Sequence, residues 1–116
     1  MKKIEIINKV TDINNSVVSA CGFIANEDKF KTIIDKFYSE FGGYSDNFRS
    51  VMSYYHGGGR KDDFVSGVNY YMNTMDEDDI TCEQAREDLK VMKKLNKTLE
   101  DNFHISSTIK LFQMYD

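Results

Sequence analysis

The chain has no proline and no tryptophan, and only two cysteines and two histidines among its 116 residues. Without proline nothing forces a kink or a stop inside a helix, so uninterrupted helices are open to it. The cysteines, Cys21 and Cys82, lie far apart and form no C-x-x-C pattern. They leave room for one disulfide at most and favour free thiols in a reducing cytosol. Cys21, Cys82, His56 and His104 stand singly, without metal-ligand spacing, so no metal site and no cofactor is expected. The most apolar stretch, residues 17–25, is broken by Ser19 and Gly22. That excludes a membrane span. The opening residues are basic but carry no apolar run of signal length, which predicts a cytoplasmic protein. A basic excess is missing too: the net charge is −4. A duplex nucleic-acid binder needs the opposite balance.

What is present is apolar enough for a core. Hydrophobic residues make up 41% and aromatics 13%, all of them Tyr and Phe. A chain of this length forms one domain, residues 1–116, and needs no covalent staple. Residues 3–10 alternate Ile4 and Ile6 with Lys3 and Glu5, as on a strand, while Ile4, Ile7 and Val10 also fit a short helix; the β-branched content favours the strand. Thr11 to Ser16 is rich in Asn and Asp, as turns are. Residues 17–25 then read as a second strand of a hairpin, the alternative being a helix capped by Ser16. The clearest helix covers 27–41, with Phe30, Ile33, Ile34, Phe37, Tyr38 and Phe41 on one face, Asn26 as its cap, and Gly42-Gly43 as a left-handed stop. Helices over 46–56 and 62–75 follow, the first halted by Gly57-Gly58-Gly59. Thr81 with Gln84 is a capping box that opens a long helix from Cys82 to about Asn102. Its predicted buried stripe is Ala85, Leu89, Met92, Leu95 or Asn96, and Leu99. Residues 107–115 alternate again and predict a strand beside the hairpin. The expected fold is therefore α+β: a small antiparallel sheet packed against about four helices.

Two stretches carry chemistry. The first is Tyr54, Tyr55, His56, Gly57, Gly58, Gly59, Arg60 and Lys61. Glycine-rich turns let backbone N–H groups approach phosphate, and tyrosines stack on bases. That makes a nucleic-acid or nucleotide site the alternative reading. Against it, neither glycine fingerprint of nucleotide-binding turns is present, and Asp62 and Asp63 cancel Arg60 and Lys61 at once. The second is Asp76, Glu77, Asp78 and Asp79. It is no EF-hand, because Ile80 and Thr81 stand where a ligand and a glycine belong. From Asp76 to Asp88 seven acids face one Arg, a net −6. Such a patch imitates DNA phosphates and steers association with basic surfaces.

Tyr44, Tyr54 and Tyr70 fall off the predicted helix stripes, and exposed tyrosines are enriched at interfaces. No pairing of nucleophile and base has a local signature, so an enzyme is not expected. The Lys/Asn/Ile-rich, proline-free composition resembles that of AT-rich genomes and their phages. The functional expectation is a non-catalytic protein-binding module. Its partner would be a host nucleic-acid-handling protein, with this chain as a phage or mobile-element inhibitor. It would act through Asp76, Glu77, Asp78, Asp79 and Glu83 with Tyr44, Tyr54 and Tyr70. A homodimer through the free sheet edge is the further expectation.

Overall fold

The computed structural model describes residues 2–105. Their order is α1 (Lys3–Gly22), α2 (Glu27–Phe41), a 3-10 turn (Gly42–Tyr44), α3 (Asp46–Gly58), α4 (Lys61–Thr74) and α5 (Cys82–Phe103). No strand occurs among these residues. The α+β expectation is overturned: this is a helical bundle.

The N-terminal hairpin fails because one period wins over local propensity. Ile6, Ile7, Val10, Asn14, Val17, Ala20 and Cys21 are all buried on α1. Their spacing is that of a helix face, and no strand register can bury that set. β-branched residues cost a helix only a few tenths of a kcal/mol each. Burying a single Ile or Val side chain returns about 1.5–3 kcal/mol. Thr11, read as part of a turn, instead bonds back along the helix to the Ile7 carbonyl at 3.1 Å. The predicted strand at 107–115 lies outside the described residues. With the hairpin gone, the sheet edge proposed for dimerisation is absent among the described residues as well.

α1 packs most extensively along α5, and α3 against α4. Ile6 and Ile7 cluster with Ala85, and Ser16 donates to Asn96 Oδ1 at 3.1 Å, so α1 and α5 run side by side in one direction. α3 and α4 form an antiparallel hairpin. Gly67 makes their crossing close: a Cβ there would sit 2.9 Å from the Val51 carbonyl oxygen and 3.1 Å from its Cα. These are backbone atoms and cannot turn aside. Gly67→Ala should therefore destabilise by about 1–2 kcal/mol despite alanine's better helix propensity, read as a lower urea midpoint.

The main core joins all five helices around edge-on aromatic contacts. Phe30 lies 5.3 Å from Phe64 and 6.0 Å from Tyr55, and Tyr55 lies 6.0 Å from Phe64. A smaller second core holds Ile6, Ile7, Ile80 and Ala85. The predicted caps at Asn26 and Thr81 hold, and Ser45 caps α3 in the same way. The side chains of Asn26, Ser45 and Thr81 accept from Lys29, Phe48 and Gln84 backbone N–H groups.

The glycines behave differently from expectation. Gly42 has φ −60° and passes the chain into a 3-10 turn rather than a left-handed stop. α3 continues through Gly57 and Gly58, and only Gly59, at φ 75°, is left-handed.

Candidate functional site

The acidic turn after α4 is built by its first residue. Asp76 accepts the Asp78 backbone N–H on Oδ1 at 3.0 Å, and its carbonyl accepts the Asp79 N–H at 3.0 Å. Ile80 then plugs into the second core, which pins the turn to the start of α1. Asp76, Glu77, Asp78 and Asp79 are all exposed. Asp76 and Asp79 line a cleft of about 270 Å³ together with Asp46, Ser50, Tyr71, Thr74, Met75 and Gln84. Gln84 Nε2 donates to Asp46 Oδ2 at 2.9 Å and so ties α5 to the start of α3.

A neighbouring cleft of about 360 Å³ shares Asp46 and Gln84 and adds Tyr44, Glu83 and Glu87. The expected partner-binding residues thus fall into two adjoining clefts at one end of the bundle, with Glu77 and Asp78 exposed in the turn beside them. Tyr54 and Tyr70 are a third element. Their rings meet across the α3–α4 hairpin with centroids 5.1 Å apart and planes tilted by 40°, and they are 42% and 52% exposed. Ser50 precedes Tyr54 by one helical turn, and Thr74 follows Tyr70 by one. Both line the 270 Å³ cleft. The tyrosine pair therefore stands one turn, about 5–6 Å, from the acidic cleft. Burial and the adjacent Tyr70 push the Tyr54 phenol above its ordinary pKa.

Asp88 borders the 360 Å³ cleft but is not one of its exposed acids. It is fully buried, whereas the sequence reading counted it among the acidic patch. Its Oδ1 accepts the Ser45 hydroxyl at 2.8 Å and the Asn47 backbone N–H at 3.2 Å, and its Oδ2 accepts the Tyr71 hydroxyl at 2.7 Å. The carboxylate sits at the start of α3, where free N–H groups and the helix dipole favour negative charge. Burial nevertheless pushes its pKa up. The bonds from Tyr71, Ser45 and Asn47 and the charge of Arg49 oppose that shift. Tyr71 is pushed up as well, by burial first and then by Asp88. Beside this cluster the buried Asn47 amide donates to Asn14 Oδ1 at 3.2 Å. Asn14, Ser45, Asn47, Tyr71 and Asp88 thus join α1, α3, α4 and α5 through polar contacts.

The Tyr54–Lys61 stretch is a tight helix corner. Asp63 Oδ2 accepts the Arg60 backbone N–H at 3.1 Å, and the Asp63 N–H donates to the Arg60 carbonyl at 3.0 Å. Gly58 leaves room for that carboxylate, which a Cβ would meet at 2.0 Å. Arg60 pairs with Glu27 at 3.8 Å, and Lys61 Nζ donates to the Ile24 carbonyl. Tyr55 is in the core, and His56 packs edge-on against Tyr38 at 5.6 Å. Both cations of the stretch are thus engaged with the chain itself.

Comparison with protein-family models, curated proteins and solved structures finds no match to this chain.

Cys21 is buried, and burial pushes its thiol up to about 12, far from the thiolate a nucleophile needs. His104 has φ 54° and ends α5 in the left-handed conformation. No group of three or more His, Cys, Asp or Glu among the described residues could hold a metal ion. No helix among them is long and apolar enough to cross a membrane. The residue set that sequence reasoning missed is the Asp88 cluster. The signal was available, because Asp88 lies three residues after Ala85 and four before Met92, in the middle of the buried stripe of α5.

Proposed function

We propose that this chain is a non-catalytic protein-binding module. Its acidic end, with Asp76 and Asp79 flanked by the Tyr54–Tyr70 pair, docks on a cationic surface of a partner protein; Asp46 is already paired with Arg49 and Gln84 within the chain. The observation that carries this reading is the continuity of tyrosine pair and cleft. An aromatic pair supplies contact area at low entropy cost, and carboxylates one turn away supply steering and orientation. Proteins that handle nucleic acid carry such cationic surfaces by necessity, so they are the partner class to test first. Two free thiols suit a reducing compartment such as the cytoplasm.

The test is affinity capture from the native cell with wild type, an Asp76→Lys/Asp79→Lys variant and a Tyr54→Ala/Tyr70→Ala variant. A cationic partner should be retained by wild type, released by moderate salt, and bound at least tenfold more weakly by each variant. Retention of the same partners at equal affinity by both variants would sink the reading. A single-stranded oligonucleotide that shifts wild type but not an Arg60→Ala/Lys61→Ala variant would instead favour the glycine corner.

A further inference from the structure

A second surface runs along the outside of α5. Glu83, Glu87, Lys90, Lys94 and Lys97 follow one another at spacings of four, three, four and three, which places them on one stripe of the helix. The buried residues Ala85, Asp88, Met92, Leu95 and Leu99 occupy a different face. Along the stripe the charge changes sign once, between Glu87 and Lys90. At that point Tyr44 stands beside the helix, 63% exposed. The 360 Å³ cleft with Glu83 and Glu87 lies on one side of it. On the other lies a cleft of about 440 Å³, which Tyr44 itself lines together with Glu40, Phe41, Glu87, Lys90, Val91 and Lys94. Lys94 Nζ sits 5.6 Å from the centre of the Phe41 ring, over the apolar part of that cleft. Among the described residues Glu83, Glu87, Lys90 and Lys94 form no ion pair within the chain.

We propose that this stripe is a self-complementary surface on which a second copy of the chain docks antiparallel, with the two-fold axis between Glu87 and Lys90. About that axis Glu83 of each copy faces Lys94 of the other, and Glu87 faces Lys90. Symmetry makes each pair twice. A parallel or shifted arrangement sets like charges together, so the pattern selects one register. Exposed ion pairs contribute little singly, and the contact needs an anchor as well. Tyr44 supplies it, since the two-fold operation brings the tyrosine of each copy to the Phe41–Val91 cleft of the other. The stripe from Glu83 to Lys97 is about 21 Å long at 1.5 Å per residue. A contact of that length is at the small end of specific interfaces, so the dimer is reversible and salt-sensitive. It does not rest on the docking reading above, because Asp76, Asp79, Tyr54 and Tyr70 lie outside the pairing.

Sedimentation equilibrium at low salt, about one fifth of physiological ionic strength, decides it. The wild-type mass should rise with concentration from 13.5 kDa toward twice that value and fall back at high salt. Lys90→Glu/Lys94→Glu and Glu83→Lys/Glu87→Lys variants should each stay monomeric while keeping wild-type circular dichroism. An equimolar mixture of the two should recover the dimer. Tyr44→Ala should weaken dimerisation at least tenfold without changing the charge pattern. A wild type that stays monomeric at low salt overturns the proposal, as does a dimer that survives both charge reversals or a mixture that stays monomeric.

Discussion

Asp88→Ala should destabilise the fold by about 3–5 kcal/mol, the combined effect of leaving the Ser45 hydroxyl, the Asn47 N–H and the Tyr71 hydroxyl without their acceptor. Each such loss in a dry interior costs about 1–3 kcal/mol, and rotation of the two hydroxyls recovers part of it. Asp88→Asn should cost far less. The amide keeps the volume and one acceptor oxygen for Ser45 and Asn47, and its NH₂ can donate to a rotated Tyr71 hydroxyl. Urea unfolding of the three proteins at neutral pH measures the order. The same carboxyl also sets a pH dependence. Its pKa is raised in the fold, so the folded chain binds that proton more tightly than the unfolded chain does. Its contribution to stability therefore grows as pH falls through the raised folded value and levels off below the ordinary carboxylate value of about 3.9. The stability of wild type relative to Asp88→Asn should rise on going from pH 8 toward pH 4. A difference that shrinks over that range would show that the hydrogen bonds outweigh burial.

Phe30→Ala should have an effect of similar size, about 3–5 kcal/mol, with most of the loss coming from the cavity it leaves. Phe30 is fully buried and touches both Tyr55 on α3 and Phe64 on α4. Three rings meeting edge-on leave no small side chain to move into the gap. Phe30→Leu, which fills much of the volume, should cost less than half as much. Thermal or urea melts of the pair test this, and equal losses would mean that α2 can slide inward and close the space.

Much of the fold was legible wherever a period and a boundary signal agreed. α2 begins after Asn26 and ends at Phe41 as its stripe and cap predict, and α5 starts at its Thr81–Gln84 box. Over α1 propensity and period disagree: isoleucine and valine favour strands in general while their spacing here is helical, and only burial decides between the two. Asn14 looked like turn chemistry for the same reason: an amide is at home in a turn unless another buried amide, Asn47, is waiting for it. Charge alone points Asp88 to the surface, although its position on α5 is central to the core. A buried carboxylate needs donors from elsewhere in the chain, and neither the Ser45–Asn47 helix start nor Tyr71 is near it in sequence. The tyrosine pair was half legible. Tyr54 and Tyr70 were recognisable as lying off the apolar stripes, but their meeting depends on the close α3–α4 crossing at Gly67.

The small second core also bears on docking. Ile80 joins the acidic turn to Ile6 and Ile7, so the docking cleft and the first turns of α1 share a foundation. Loosening that core, as Ile80→Ala would, should therefore also free the turn that carries Asp76 and Asp79, so that a change made wholly in apolar packing reads out as a loss of docking.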